Sequence, residues 1–498
     1  MNLKKFNNLL ELFFNQYESQ NENNIFLSSL KNPIIEFSWK DTKTSVINLS
    51  IEFKKYIKKG DRCLLISENR PEWFISDLSI MLSGSITVPA YTTYAERDYE
   101  YIINDCSPSV IFVSNTEQFN KVKNIIKGKK FIKKLFSFDD LENVNQNEYQ
   151  NISKLFFDLN NLNNNFKTNI NRNDPACIIY TSGTQGNPKG VILSHGGILN
   201  NCEGAIEILE PLIKKDQTRF LTWLPLSHSY EHTVQFIQII VGAKVFYAES
   251  LEKLISNMGI AKPTIMTAVP RFYQNLFTKI NMNFEKQSGL KRKLINQTLN
   301  LGKKILKKQE LKLSEKITNF LCEKLVRKKI KKQFGGKLKA FVSGGGALDR
   351  KIGEFLNSIG LPTLQGYGLT EASPVVSCNI PGKIKIETVG PPFKTNQVKI
   401  AEDGEILVKG ENIMLGYWNK KKETDEVIKD GWLHTGDIGE ITKEGNLKIT
   451  DRKKEIIVNL GGDNISPSKI ENLLCLNEKI KQSFVYGDKK TYLVALIV

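Results

Sequence analysis

Residues Tyr180–His195 read YTSGTQGNPKGVILSH. A β-type apolar run, ACIIY (176–180), enters this stretch and another, GVILS (190–194), leaves it. The reading is therefore strand–loop–strand, with helix beginning only after Ser194. The glycines, Gly183, Gly186 and Gly190, let the backbone approach an anion and offer N–H groups to it. Thr181, Ser182 and Thr184 add hydroxyl donors and Lys189 adds charge, which suits phosphate. A Walker loop needs G-x-x-x-x-G-K-[ST] running into a helix. Here only Asn187 and Pro188 separate Gly186 from Lys189, and Gly190 follows the lysine, so the kinase and GTPase readings fail on spacing. A plain hairpin turn is the alternative, and three hydroxyls in so short a loop argue against it.

The surrounding chain predicts an α/β protein with parallel strands. KAFVS (339–343) is followed by a glycine run, a helical stretch DRKIGEFLNSIG and a second strand, LPTLQ (361–365). Asp349 is suited to cap that helix, and Ile352, Phe355, Leu356 and Ile359 form its buried stripe. A right-handed crossover makes the two strands parallel neighbours. Gly344–Gly346 and Gly366–Gly368 then lie at adjacent carboxyl ends, where open α/β sheets bind ligands. From about residue 385 the texture becomes short strands and turns, and a hairpin in GEIT–KEGN–LKIT would return Arg452 to Asp437. After Asp451 a new unit starts, with a helix near Ser466–Pro467 and the strands FVYGD and YLVALIV.

The 498 residues suffice for two or three domains, and the net charge of +17 favours anionic partners. Seven scattered cysteines with no CxxC pair fit free thiols in a reducing compartment and argue against a zinc site. Phe6, Leu9, Leu10, Phe13 and Tyr17 recur at helical spacing and predict an amphipathic N-terminal helix, not a signal peptide. Leu78–Ala95 is uncharged but broken by Ser, Gly, Thr and Pro, so it reads as buried core and the protein as cytoplasmic. Residues 286–332 read as a basic helical insert. Leu294, Ile295, Leu299, Leu301, Ile305 and Leu306 gather on one helix side; Ile317, Phe320, Leu321 and Leu325 make a second apolar face. A solvated face and a peripheral membrane contact are both open there; without interleaved aromatics, nucleic acid is not expected.

YTSGTQGNPKG resembles the signature loop of the AMP-forming acyl-adenylating enzymes, which include acyl-CoA synthetases, luciferases and peptide-synthetase adenylation domains. Further stretches match in that family's order: LPLSHSYEH (224–232), SGGGAL (343–348), GYGLTEASPV (366–375), GYW (416–418), GWLHTGD (431–437) and ITDRKKEIIV (449–458). SENRPEWFISD, the long insert and VNLGGDNISPSKIEN resemble the long-chain fatty-acid group. The resemblance implies a large adenylating domain over 1–450, with helix-flanked sheets and a small β-barrel-like subdomain. A partial α/β C-terminal domain over 451–498 follows.

It further implies activation of a long-chain fatty acid by ATP to acyl-AMP, then transfer to CoA. Within that pattern Gly344, Gly345, Gly346, Ala347, Gly366, Tyr367 and Gly368 would bind ATP and AMP, with Tyr367 stacking on the adenine. Thr370 would donate to the α-phosphate and Glu371 would hold Mg²⁺, which takes carboxylate and phosphate oxygens. Asp437 would meet the ribose, Arg452 the ribose or a phosphate, and His228 the acyl carboxylate. Asp451, Lys453, Gly461 and Gly462 would serve the hinge and the CoA channel. Glu231 and His232 read as helix residues without a role. The family's adenylation lysine, near the end of the C-terminal domain, has no counterpart here, so the expectation is a truncated form. Loss of such a cation costs on the order of 10²–10³ in rate. The rivals are a ligase for another carboxylic acid, medium-chain, aromatic or polyketide-type, and a non-catalytic acyl or nucleotide binder.

Overall fold

The computed structural model describes residues 3–157, 168–181, 187–214, 217–453, 457–458, 464–465, 467–475, 477, 479–488 and 490–498. Two eight-stranded sheets dominate it. Across the first run Val375–Cys378, Thr363–Gly368, Ala340–Ser343, Ile265–Ala268, Arg219–Thr222, Lys244–Tyr247, Ile25–Ser29 and Glu36–Ser38. Its inner strands are parallel and both edge strands antiparallel. Across the second run Gly416–Tyr417, Lys189–Ser194, Pro175–Thr181, Ile86–Ala90, Arg62–Ile66, Val110–Val113, Lys134–Ser137 and Gln150–Asn151.

Pro175–Thr181 and Lys189–Ser194 pair antiparallel, with Thr181 opposite Lys189, and the helix His195–Leu209 starts where expected. A five-stranded antiparallel sheet, built on Trp432–Ile441, supplies the small β subdomain. The helix Arg350–Ser358 is capped by Asp349, whose carboxylate accepts from the Ile352 N–H at 3.1 Å, and its flanking strands are parallel neighbours. Beyond residue 453 the described elements are two short antiparallel pairs and the helix Pro467–Leu474. Among the described residues no helix is long and apolar enough to cross a membrane.

Two expectations are corrected. The N-terminal helix begins at Leu9, capped by Asn8, so Phe6 is buried ahead of it. In the insert, Ile295 and Leu301 are buried, but Ile305 and the Ile317, Phe320, Leu321, Leu325 face look outward. The continuation of that helix instead buries its opposite side, Cys322, Val326 and Ile330.

Every residue of the helix Pro71–Leu82 is buried, its polar Glu72, Ser76, Asp77 and Ser79 included. It packs on the helix Ser229–Ile240 through Phe74 against Phe236, ring centroids 5.7 Å apart, and Trp73 against His232 at 5.6 Å. Between them His232 Nε2 meets Asp77 Oδ2 at 2.8 Å, both side chains fully buried, with Cys177 Sγ 3.7 Å from His232 Nδ1. Burial alone would lower the His232 pKa, but the Asp77 charge outweighs it and raises it to about 10. The earlier reading of His232 as a roleless helix residue is thus revised: it fixes the helix whose first turn enters the site.

The folded pKa lies above the unfolded value of about 6.5, so this stabilisation is complete below that pH and fades as pH climbs toward 10. Asp77→Ala leaves a buried imidazolium without its partner and is expected to cost about 3–5 kcal/mol, read as a lowered denaturation midpoint. Between pH 7 and 10 the wild type should lose more thermal stability than the Asp77→Asn/His232→Gln double variant; parallel losses would refute the assignment.

Candidate active site

The candidate residues come from several separate segments of the chain. Lys189 opens its strand, and the two-residue strand Gly416–Tyr417 adds antiparallel to that same strand. This pairing sets the Lys189 ammonium 4.8 Å from the centre of the Tyr417 ring. Tyr417 in turn donates its hydroxyl to Glu371 Oε1 at 2.9 Å. Burial first, and then the Glu371 charge, push the Tyr417 pKa up, so the phenol stays a donor. The sequence motif GYW marked this position, but nothing in it says that Tyr417 joins a cation to a carboxylate.

Glu371 and Thr370 lie in the short 3₁₀ turn Thr370–Ala372, just past the strand Thr363–Gly368. Thr370 Oγ1 is 3.0 Å from Ser229 Oγ, which places the first turn of the Ser229–Ile240 helix beside the phosphate candidates. His228 caps that helix: its Nδ1 accepts from the Tyr230 N–H at 3.1 Å. The ring is open to solvent on one side, but surrounding protein desolvates it enough to lower its pKa. An accepting Nδ1 puts the ring proton on Nε2, the nitrogen left to donate.

Tyr230 packs on the glycine run, where a Cβ on Gly344 would sit 3.0 Å from its ring, and its hydroxyl donates to the Val342 carbonyl at 3.2 Å. Ser229 and Tyr230 are site residues that the sequence reading passed over. Their one signal was the presence of a hydroxyl on each side of the helix start in LPLSHSYEH. Glu231, also given no role, is buried, accepts from Thr267 Oγ1 at 2.7 Å, and is pushed up to about 7 by burial.

Gly345, Gly346 and Ala347 are exposed beyond the strand Ala340–Ser343, and Gly366, Tyr367 and Gly368 end the neighbouring strand. Gly368 has a second constraint: a Cβ there would lie 2.0 Å from the Pro374 carbonyl oxygen. Tyr367 donates its hydroxyl to Asp437 Oδ2 at 2.6 Å. The predicted hairpin is present, Asp437 opposite Arg452, with Arg452 Nε 3.3 Å from Asp437 Oδ1. Asp437 is nearly buried, and a ribose reaching it would share a carboxylate that Tyr367 and Arg452 already hold.

Asp451 stands in the same strand, opposite Ile438, and Lys453 turns to Asp403 at 2.6 Å and Glu405 at 3.1 Å. Lys453 thus faces the β subdomain, not the Lys189 cluster. Ser182, Gly183, Thr184, Gly186, Gly461 and Gly462 lie outside the described residues.

Behind Tyr230 lies a cavity of about 40 Å³, lined by Leu209, Phe220, Ile237, Ile265 and Val342 among others. As for a metal, no group of three or more His, Cys, Asp or Glu side chains among the described residues could enclose one. Mg²⁺ held largely by substrate phosphates needs only one or two carboxylates, and Glu371 fits that demand.

The profile of the AMP-binding enzyme family matches residues 15–418. The chain belongs to the AMP-binding enzyme family. It is 30% identical over 443 residues to long-chain-fatty-acid–CoA ligase FadD15 of Mycobacterium bovis, covering 89% of this chain and 73% of that protein. To long-chain-fatty-acid–CoA ligase 5 of Rattus norvegicus it is 33% identical over 461 residues, covering 87% of this chain and 66% of that one. Among solved structures, anthranilate CoA ligase AuaEII with anthranoyl-AMP superposes with a TM-score of 0.76 at 18% identity, covering 100% of this chain and 88% of that chain. o-Succinylbenzoate CoA synthetase (MenE) from Bacillus subtilis with OSB-AMP gives 0.73 at 19% identity, covering 99% and 87%. At such identities these two establish the fold.

Gly368→Ala in this family member should disrupt the turn that carries Thr370 and Glu371. The expected readout is a lower unfolding temperature and lost nucleotide binding, whereas Gly382→Ala, in open space, should affect only the first of these, through its positive φ of 76°.

Proposed function

We propose that this chain activates a long-chain fatty acid with ATP, giving acyl-AMP and pyrophosphate, and then transfers the acyl group to CoA with release of AMP. The observation that carries the reading is Tyr417 standing between Lys189 and Glu371, a cation and a carboxylate held together at the mouth of a phosphate-type loop. In the first step a fatty carboxylate oxygen attacks the α-phosphorus and pyrophosphate leaves. In the second the CoA sulfur attacks the acyl carbonyl and AMP leaves. A carboxylate acylates poorly because its oxygen leaves badly, so the protein's part is to position reactants and neutralise charge.

Lys189, with Thr181, Ser182, Gly183, Thr184 and Gly186, binds the β/γ phosphates, and Thr370, oriented by Ser229, donates to the α-phosphate. Glu371, oriented by Tyr417, would hold Mg²⁺, which when bound offsets phosphate charge. His228 offers Nε2–H to the acyl carboxylate. Gly344–Gly346, Ala347, Gly366 and Gly368 leave room for the adenine, Tyr367 stacks on it, and Asp437 and Arg452 take the ribose. Residues 1–450 form the adenylating unit and 451–498 belong to a second one, with Asp451 and Lys453 as hinge residues and Gly461 and Gly462 serving the CoA channel. All seven cysteines are unpaired and six are buried, which supports a cytoplasmic setting.

The apolar lining behind Tyr230 supports a hydrocarbon tail, although the space holds only two or three water-sized groups, roughly, before side chains move. That small volume favours, as the second reading, a shorter carboxylic acid. Pyrophosphate release with ATP and oleate, but not with acetate or coumarate, supports the first reading; the reverse preference overturns it. ATP binding without pyrophosphate release from any acid would overturn both.

Lys189→Ala should slow adenylation by about 10²-fold or more, and Asp437→Ala should chiefly raise the KM for ATP. Tyr417→Phe should raise the Mg²⁺ concentration needed for half-maximal rate, since it frees Glu371 from its donor. Ile237→Trp should shift acid preference to shorter chains; unchanged preference would remove the cavity from the acyl path.

A further inference from the structure

The helix Leu313–Cys322 and the chain that continues it are apolar on two opposite sides. Val326 and Ile330 point inward and join the core beneath. On the other side Leu313, Ile317, Phe320, Leu321 and Leu325 stand 45–77% exposed. Isolated exposed apolar residues are ordinary, but these five follow one helical stripe, and a stripe of that size in water marks a surface with a partner.

The charge around it says which partner. From residue 286 to 332 sixteen Lys and Arg oppose three Glu, so this short segment carries +13 of the chain's +17. The acids nearest the stripe are already engaged: Glu315 by Lys304 at 2.5 Å, and Glu323 by Arg327 at 3.6 Å and Lys331 at 3.5 Å. Lys316, Lys324 and Lys328 are exposed alongside the apolar residues. Lys324 lays its ammonium 4.6 Å from the Phe320 ring centre, the posture of a stem that covers apolar surface and carries its charge outward.

A second copy of this chain would bring like charges face to face, which a self-complementary interface cannot relieve. A nucleic acid would pair with the lysines but leave the aliphatic stripe wet. A lipid surface satisfies both: acyl chains for the stripe, anionic headgroups for the ammonium groups. We propose that the Leu313–Leu325 face docks this protein on membranes carrying anionic lipids, with Ile317, Phe320 and Leu321 entering the headgroup–acyl boundary. The proposal stands apart from the ligase reading, because it is tested without ATP or acid.

The full chain is floated with vesicles of phosphatidylcholine alone and with vesicles in which about a third is phosphatidylglycerol. Binding to the mixed vesicles only, weakened by salt, is expected. Phe320→Glu should lower partitioning at least about tenfold, and Lys324→Ala/Lys328→Ala by about fivefold per charge removed. Each variant should keep the wild-type unfolding temperature, because these side chains face solvent. Phe320→Trp should retain binding and be quenched by brominated lipid. Equal binding to neutral and mixed vesicles, or wild-type partitioning of Phe320→Glu, would overturn the proposal. So would a concentration-dependent dimer that Phe320→Glu dissolves while vesicles stay unbound.

Discussion

Two residues of backbone pairing hold the site together. Gly416–Tyr417 lies along Lys189–Ser194, and the contact is sealed at both ends: Leu415 N–H donates to the Ile192 carbonyl at 2.9 Å and Trp418 N–H to the Gly190 carbonyl at 2.7 Å. Just before it, Met414 N–H donates to the Glu371 carbonyl at 2.9 Å. One short strand thus fastens the second large sheet to the turn that leaves the first. The fit admits no side chain at Gly190, whose Cβ would stand 2.8 Å from Ile178 Cγ2. This pairing brings Lys189, Tyr417 and Glu371 together, and the Tyr417 hydroxyl bond then fixes the Glu371 carboxylate.

The interior shows a second kind of constraint. The helix Ser229–Ile240 carries polar groups into a buried layer, where several find side-chain partners. His232 meets Asp77, Glu231 meets Thr267, and Gln235 donates to Thr222 and accepts from the Tyr247 hydroxyl. Buried polar groups are costly unless paired, and pairing demands one geometry. An apolar helix could slide by part of a turn between the sheets; this one has its register dictated by its partners. Since Ser229 and Tyr230 belong to its first turn, that register is passed directly to Thr370 and Gly344.

Much of this was legible in the chain itself. The strand–loop–strand around Lys189, the Asp349 cap, the parallel crossover and the Asp437–Arg452 hairpin all rest on local signals, namely turn residues, capping residues and periodicity, and each is present. What stayed hidden is non-local. Asp77 and His232 are 155 residues apart and Tyr417 and Glu371 are 46 apart, and no spacing rule announces either meeting. The outward apolar face of the insert was hidden for a different reason. Periodicity assigns residues to a stripe but cannot say which of two stripes finds a core, and here Val326 and Ile330 won.

The Asp437–Arg452 ladder continues one step further, where Lys453 N–H donates to the Gly436 carbonyl at 2.8 Å and its ammonium reaches across to Asp403 and Glu405. The pair with Asp403 is exposed and weak on its own, whereas Glu405 is buried. Together with the ladder these contacts tie Lys453 to the strand that carries Asp437. Displacing Lys453 would break those pairs and the rung beside Asp437, whose carboxylate accepts from the Tyr367 hydroxyl. Tyr367 and Lys453 are thus joined by a short chain of contacts that runs through one carboxylate and one backbone rung.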